Sequence, residues 1–235
     1  PNGEHLAYYR TDETMVTDYP VMDLSRKPAG SKMVKYPFAG EKSHHATLGV
    51  YHVQSGKTTF LETGGDPEHY LTNISWSPDS RKIYIAELSR GQDYLALNRY
   101  DAASGKKEAT LFEEKHDRYI QPTHVLSFLP GQDDQFIFQS QRDGYNHLYL
   151  YNTDGELIRQ LTKGEEMITG IIGFGPKGKY VYAMAATNKG LERHLVRSEI
   201  KTGEMMVYTP ELKGTHGVRL SGDGKYYLDY YNSTT

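Results

Sequence analysis

Leu148-Tyr149-Leu150-Tyr151-Asn152-Thr153-Asp154-Gly155-Glu156-Leu157 runs from an apolar segment alternating at period two, through a tight turn, into a second apolar segment. Such a pattern is a strand, a hairpin whose glycine supplies a positive φ, and an antiparallel return strand. The same turn recurs as Ala103-Ser104-Gly105-Lys106, Lys201-Thr202-Gly203-Glu204 and Gln54-Ser55-Gly56-Lys57. A second kind of turn appears as Pro1-Asn2-Gly3, Pro78-Asp79-Ser80, Pro130-Gly131 and Pro176-Lys177-Gly178, with Ser221-Gly222-Asp223-Gly224 as a proline-less form. From Pro78 onward these turns lie 52, 46 and 46 residues apart. A period of about 40–50 residues holding four strands is that of a β-propeller blade.

Between the turns the chain divides the same way each time. Innermost strands are expected at 71–76, 124–129, 169–174 and 217–221, and second strands at 83–88, 135–140, 179–185 and 225–231. Third strands fall at 94–101, 146–152 and 192–199, and fourth strands at 108–112, 157–162 and 205–209. An earlier unit, built from 4–10, 48–53 and 58–62, lacks its first strand, and a last unit lacks two. Residues 11–46 are inserted into the earlier unit. Pro20, Pro28 and Pro37 argue against a helix there, so the insert reads as an extended arm. The fold expected is all-β: a single domain over 1–235, a partial ring of about three complete and two partial four-stranded antiparallel blades. A propeller hides its sheet edges by closing on itself. This arc is therefore expected to be a piece of a longer protein.

Composition agrees. The 235 residues include 20 Tyr and 23 Gly, which favour strands and tight turns. With 27 Lys+Arg against 30 Asp+Glu, the formal net charge of −3 argues against a nucleic-acid partner. No run approaches the ~20 apolar residues of a membrane-spanning helix. The absence of cysteine excludes disulfides, thiolate zinc sites and a cysteine nucleophile.

Chemistry-bearing motifs are sparse. There is no G-x-S-x-G, H-E-x-x-H or G-x-x-x-x-G-K-[ST]. Gly173-Phe174-Gly175-Pro176-Lys177-Gly178 has dinucleotide-fingerprint spacing, but Tyr180-Val181-Tyr182 follows as a strand where that site needs a helix. It reads as a blade turn. His44-His45 lacks a third ligand at a coherent spacing and reads as a solvated loop pair, so no metal is expected, and no motif implies an organic cofactor. The pairs Glu113-Glu114 and Glu165-Glu166 fall at fourth-strand ends and read as solvated surface. Asn73-Ile74-Ser75 and Asn232-Ser233-Thr234 match glycosylation sequons, with Asn73 expected inside an inner strand.

Several stretches resemble one family. The run Arg10-Thr11-Asp12-Glu13-Thr14-Met15-Val16-Thr17-Asp18-Tyr19-Pro20 resembles the start of the insertion arm in the dipeptidyl peptidase IV propeller. Tyr36-Pro37-Phe38-Ala39-Gly40-Glu41 resembles that arm's return, with Phe38 where the family usually has Lys. Trp76-Ser77-Pro78-Asp79 resembles its blade starts. The most specific stretch, Ser140-Gln141-Arg142-Asp143-Gly144-Tyr145-Asn146-His147-Leu148-Tyr149, resembles the Ser-Glu-Arg-Asp-Gly-(Tyr/Trp)-x-His-Leu-Tyr run of this serine peptidase clan, and Glu192-Arg193-His194-Leu195 adds a weaker match. The absence of cysteine puts bacterial-type members closer than animal ones.

The resemblance implies an eight-bladed propeller followed by a C-terminal α/β-hydrolase domain. It also implies removal of N-terminal dipeptides with Pro or Ala second, and a periplasmic or otherwise extracytoplasmic location. The family's triad belongs to the hydrolase domain, so no catalytic residue is expected here. Its paired glutamates lie just before the turn at which this sequence begins, and neither glutamate pair of this chain matches their position. Two roles are expected within the arc. The arm resembles the one that helps the family's propellers form homodimers, and Met15, Val16, Tyr19, Val21 and Met22 offer apolar contact outside the blade core. Residues 116–122 read first as an ordinary blade linker; in the family this region approaches the substrate cavity, which makes Arg118 and Tyr119 the candidates for facing a peptide substrate there. The rival reading is a stand-alone propeller serving as a protein-binding module without peptidase activity.

Overall fold

The computed structural model describes residues 2–234, so Pro1 of the first turn lies outside the described residues. The chain opens with β1 (His5–Asp12), then an inserted hairpin of β2 (Asp18–Asp23) and β3 (Gly30–Lys35), then β4 (His45–His52) and β5 (Lys57–Phe60). Strands β1, β4 and β5 form a three-stranded sheet, and β2 pairs only with β3. The next sheet holds β6 (Tyr70–Trp76), β7 (Lys82–Leu88), β8 (Tyr94–Asp101) and β9 (Lys107–Lys115) in that order. Another holds β10 (Ser127–Leu129), β11 (Gln132–Ser140), β12 (His147–Asn152) and β13 (Leu157–Gln160). The following blade comprises β14 (Met167–Phe174), β15 (Tyr180–Thr187), β16 (Glu192–Glu199) and β17 (Met205–Val207). The partial last unit, β18 (Thr215–Leu220) and β19 (Tyr227–Asn232), joins that blade through one parallel pair, Arg193 with Thr215. The antiparallel meanders of four are the expected blades. Among the described residues no strand joins the last sheet to the first, so the ring is open.

Each blade buries both faces, which is why its strands read as near-continuous apolar runs. In β7, Ile83 and Ile85 pack toward the preceding sheet with Leu48, Val50 and Tyr100. Tyr84, Ala86 and Leu88 pack toward the following sheet with Phe136, Phe138, Tyr149 and Tyr151. One blade later, Ile137, Leu148 and Leu150 meet Val181, Ala183 and Ala185. The pleat sends neighbouring residues to opposite faces, so alternate side chains belong to successive cores.

The sheets at the two ends have one face each without that cover. Leu6 of β1, and Leu228 and Tyr230 at alternate positions of β19, are exposed there. The accessible surface is 13973 Å². A compact monomer of 26.7 kDa exposes about 11,000 Å². The arm and the two uncovered faces are where exposed apolar side chains concentrate.

One expectation changes in detail and two hold. The inner strand expected at 124–129 is only Ser127–Leu129: the Leu126 N–H goes to Ser75 Oγ (2.9 Å), and His124 Nε2 lies 3.1 Å from the Thr169 carbonyl in the next blade. Pro176–Gly178 forms a single 3-10 turn before β15, as a blade turn requires. Asn73 does lie in an inner strand, at φ 59 within a bulge.

Candidate functional site

The linker between β9 and β10 is held in shape by its own backbone. His116 N–H donates to the Asp93 carbonyl (3.0 Å) and Ile120 N–H to the Gln92 carbonyl (2.6 Å), fastening the first part of the linker to the β7–β8 turn. Between them the His116 ring folds back. Its Nδ1 accepts the N–H groups of Arg118 (3.1 Å) and Tyr119 (3.3 Å), so that nitrogen carries no proton. The result is a fixed turn that leaves the Arg118 and Tyr119 side chains on the surface, Tyr119 at 57% exposure. Both line an open cleft of about 560 Å³ with His116, Asp117 and Gln141. An exposed guanidinium and an aromatic ring on one wall suit a polar, extended ligand.

Next to this cleft the stretch 140–149 closes a network. Arg142 Nη2 donates to Glu114, Arg142 Nε to Ser140 Oγ (3.1 Å), and Ser140 Oγ to Glu114 Oε2 (2.9 Å). The guanidinium lies over the Tyr149 ring, 4.3 Å from its centre, with Phe112 and Tyr151 alongside. Burial is the largest influence and works against the Arg142 charge, but Glu114 and the Tyr151 hydroxyl together outweigh it and keep the group's pKa above its ordinary value. Burial also pushes the Tyr149 hydroxyl up. Farther along, Asn146 Nδ2 donates to Gln139 Oε1 (3.0 Å) and to the Ile168 carbonyl of the next blade (2.6 Å). His147 spans Thr162 Oγ1 and the Gly164 carbonyl, each 3.1 Å away. Much of this specific stretch is thus a fastening between strands and between blades.

That network corrects one expectation. Glu114 is not solvated: its side chain is 11% exposed and paired with Arg142. Nothing around positions 113–114 signals this, since the partner lies 28 residues downstream. Glu113 and Glu165 are exposed.

The arm is a hairpin whose base is tied by Tyr36 N–H to the Thr17 carbonyl (3.1 Å) and by Lys35 Nζ to the Val16 carbonyl (2.9 Å) and to Asp18 (3.1 Å). Tyr19 packs on Tyr36 and Phe38, with ring centres 5.5 and 5.2 Å apart. Tyr19, Val21 and Met22 are exposed, as are Leu24, Met33 and Tyr36, which the sequence did not single out. Met15 is half-buried. Val16 corrects the expectation of an outward contact: at 3% exposure it is buried and has no free face to offer. Among the described residues no group of three or more His, Asp or Glu side chains is arranged to hold a metal ion.

Comparison with known proteins bears on this geometry. The family model for the dipeptidyl peptidase IV (DPP IV) N-terminal region matches residues 1–235. A crystal structure of a putative dipeptidyl aminopeptidase IV from Bacteroides ovatus superposes with a TM-score of 0.90 at 36% identity, covering 97% of this chain and 35% of that one. Porphyromonas gingivalis dipeptidyl peptidase 4 superposes with a TM-score of 0.85 at 25% identity, covering 99% and 33%. A probable dipeptidyl-aminopeptidase B of Pyrenophora tritici-repentis is 25% identical over 257 residues, 98% of this chain and 29% of that protein. The chain thus spans about a third of the length of the relatives it matches. By the match along its whole length, the chain belongs to the dipeptidyl peptidase IV N-terminal region family.

Proposed function

We propose that this chain is the propeller arc of a dipeptidyl peptidase IV-like serine exopeptidase, which removes dipeptides from peptide N-termini with Pro or Ala second. In this reading the arc carries no catalytic residue. An α/β-hydrolase domain of the same protein supplies Ser, Asp and His, and the propeller admits, selects and orients the peptide. The observation that carries it is the 36% identity with a putative dipeptidyl aminopeptidase IV over 97% of the chain, at a TM-score of 0.90. Arg118 and Tyr119 take the role of substrate-cavity residues, Arg118 toward carbonyl or carboxylate oxygens and Tyr119 by packing. In the same reading the protein works outside the cytoplasm.

The arm serves homodimerisation. A two-stranded hairpin is marginal in water, and this one leaves Tyr19, Val21, Met22, Leu24 and Met33 exposed on its two faces. A partner covering those side chains stabilises the hairpin as it forms the dimer.

The test is peptide cleavage followed by mass spectrometry. The full-length protein is expected to release the dipeptide from an Ala-Pro-headed peptide, and this arc alone to release nothing. A full-length protein inert toward such peptides would support the protein-binding module instead.

A further inference from the structure

A second cleft, of about 510 Å³, opens between the β5–β6 connection and the β6–β9 blade. One wall is the β5–β6 connection, preformed by Glu62 N–H to the Gly105 carbonyl (2.8 Å), His69 N–H to the Asp66 carbonyl (3.0 Å) and Glu68 N–H to Asp66 Oδ1 (2.9 Å). The other wall is the face of the blade that carries Glu87, Asn98 and Thr110. Glu62, Asp66, Glu87 and Glu113 line the cleft, against a single lysine, Lys107. Glu87 is largely buried, accepts the Tyr100 hydroxyl and lies 3.9 Å from His69 Nδ1. Clustered carboxylates at low-dielectric walls concentrate field lines and draw cations.

Acidity alone assigns no ligand, but Asn98 adds an independent observation. It is 1% exposed and lines the cleft, and its Nδ2 is buried with no hydrogen-bond partner among the described residues. An unpaired buried amide atom costs about 1–3 kcal/mol, so its place at a cleft points to something that completes it. Thr110 Oγ1 lies 2.7 Å from the amide oxygen. A hydroxyl donates or accepts equally well, so the amide can present either its N–H or its oxygen to the cleft. These side chains do not converge as a metal site. The cleft is also lined by Tyr94 and Ala96, an apolar wall that a bare ion does not use.

We propose that this cleft binds an alkylammonium group, a primary ammonium on an aliphatic stem, with Glu87 and Asn98 receiving the ammonium and Tyr94 and Ala96 flanking the stem. An ammonium has three donors and no acceptor, which suits a carboxylate and an amide oxygen at the floor and further carboxylates at the rim. A lysine side chain of a peptide and a small aliphatic amine share this chemistry. The assignment does not depend on peptidase activity.

Calorimetric titration of the intact chain tests it, with Nα-acetyl-lysine methylamide, n-pentylamine and the uncharged Nα-acetyl-norleucine methylamide as probes. The charged probes are expected to bind at least about tenfold more tightly than the norleucine probe, and less tightly as salt rises. Tighter binding of the lysine probe would identify a peptide ligand, and tighter binding of pentylamine a free amine. Glu87→Gln is expected to weaken the charged probes about tenfold. Glu113→Gln, at an exposed rim position, is expected to weaken them several-fold without touching the fold. Equal binding of the norleucine probe, unchanged binding by both variants, or no binding at millimolar concentration would overturn the proposal.

Discussion

Gly155, in the β12–β13 turn, sits so close to Leu111 of the preceding blade that a Cβ built on it would come within 2.2 Å of the Leu111 carbonyl oxygen. The equivalent turns repeat the contact. A Cβ on Gly105 would lie 2.3 Å from the Phe60 carbonyl oxygen, and one on Gly203 2.9 Å from that of Gln160. Each of these glycines also has a positive φ. The recurring turn glycine is therefore fixed twice, by backbone conformation and by contact between blades. In the first sheet the matching Gly56 would bring its Cβ only to 3.9 Å from the Tyr51 hydroxyl.

Alanine at the two sites separates the two effects. Gly56→Ala is expected to cost about 1 kcal/mol, the left-handed backbone penalty alone. Gly155→Ala is expected to cost about 3 kcal/mol or more, since backbone must also move. Urea unfolding of the two variants measures the difference, and equal losses would show that the blade contact carries no energy.

Arg142 and Glu114 form the other test of packing. The pair is partly exposed, so a deletion is expected to cost about 1–3 kcal/mol rather than the full price of a buried ion pair. Arg142→Lys should not rescue it, because an ammonium can neither lie flat over Tyr149 nor reach Ser140 and Glu114 together. A double-mutant cycle with Glu114→Gln is expected to show coupling; strictly additive losses would contradict the network.

Three turn aspartates make the fold acid-sensitive. Asp101 is held below the usual carboxylate range by the Ser104 N–H and hydroxyl, Asp79 by the Ser77 hydroxyl and Arg81 N–H, and Asp223 by the Ser221 hydroxyl and Lys225 N–H. A lowered folded-state pKa gives stability that is present above the unfolded value of about 3.9 and is lost as pH falls through the folded value. Melting temperature should therefore be flat from about pH 7 to 5 and fall below about pH 4. Asp101→Asn is expected to lower the neutral-pH plateau and flatten the acid limb. An unchanged acid limb would remove Asp101 from the explanation.

The arm is accessible to direct test at Met22, which is 72% exposed. Met22→Asp is expected to shift the protein from dimer to monomer in sedimentation velocity while leaving its melting temperature within a degree or two of the dissociated wild type. A dimer of undiminished affinity would remove the arm tip from the interface.

What the sequence made legible followed from local pattern. Tyr94–Asp101 and Glu192–Glu199 form strands with the expected ends, because alternation runs up to a turn on both sides. Strand β9 outlasts its apolar run: Glu113, Glu114 and Lys115 remain in the ladder opposite Ala96, Leu95 and Tyr94, and their charges concealed it. The misread side chains, Glu114 and Val16, owe their burial to contacts that residue type and spacing do not encode. Asn98 gave no signal either, since a single Asn in an apolar strand looks like any other interruption until both walls of its cleft are in place.

The exopeptidase assignment is tested most directly by comparing the full-length protein on one Ala-Pro-headed peptide with a free and with an acetylated N-terminus. A dipeptidyl exopeptidase is expected to release Ala-Pro from the free peptide and to leave the acetylated one intact, because recognition begins at the terminal ammonium. Equal cleavage of both peptides, or of neither, would contradict the account.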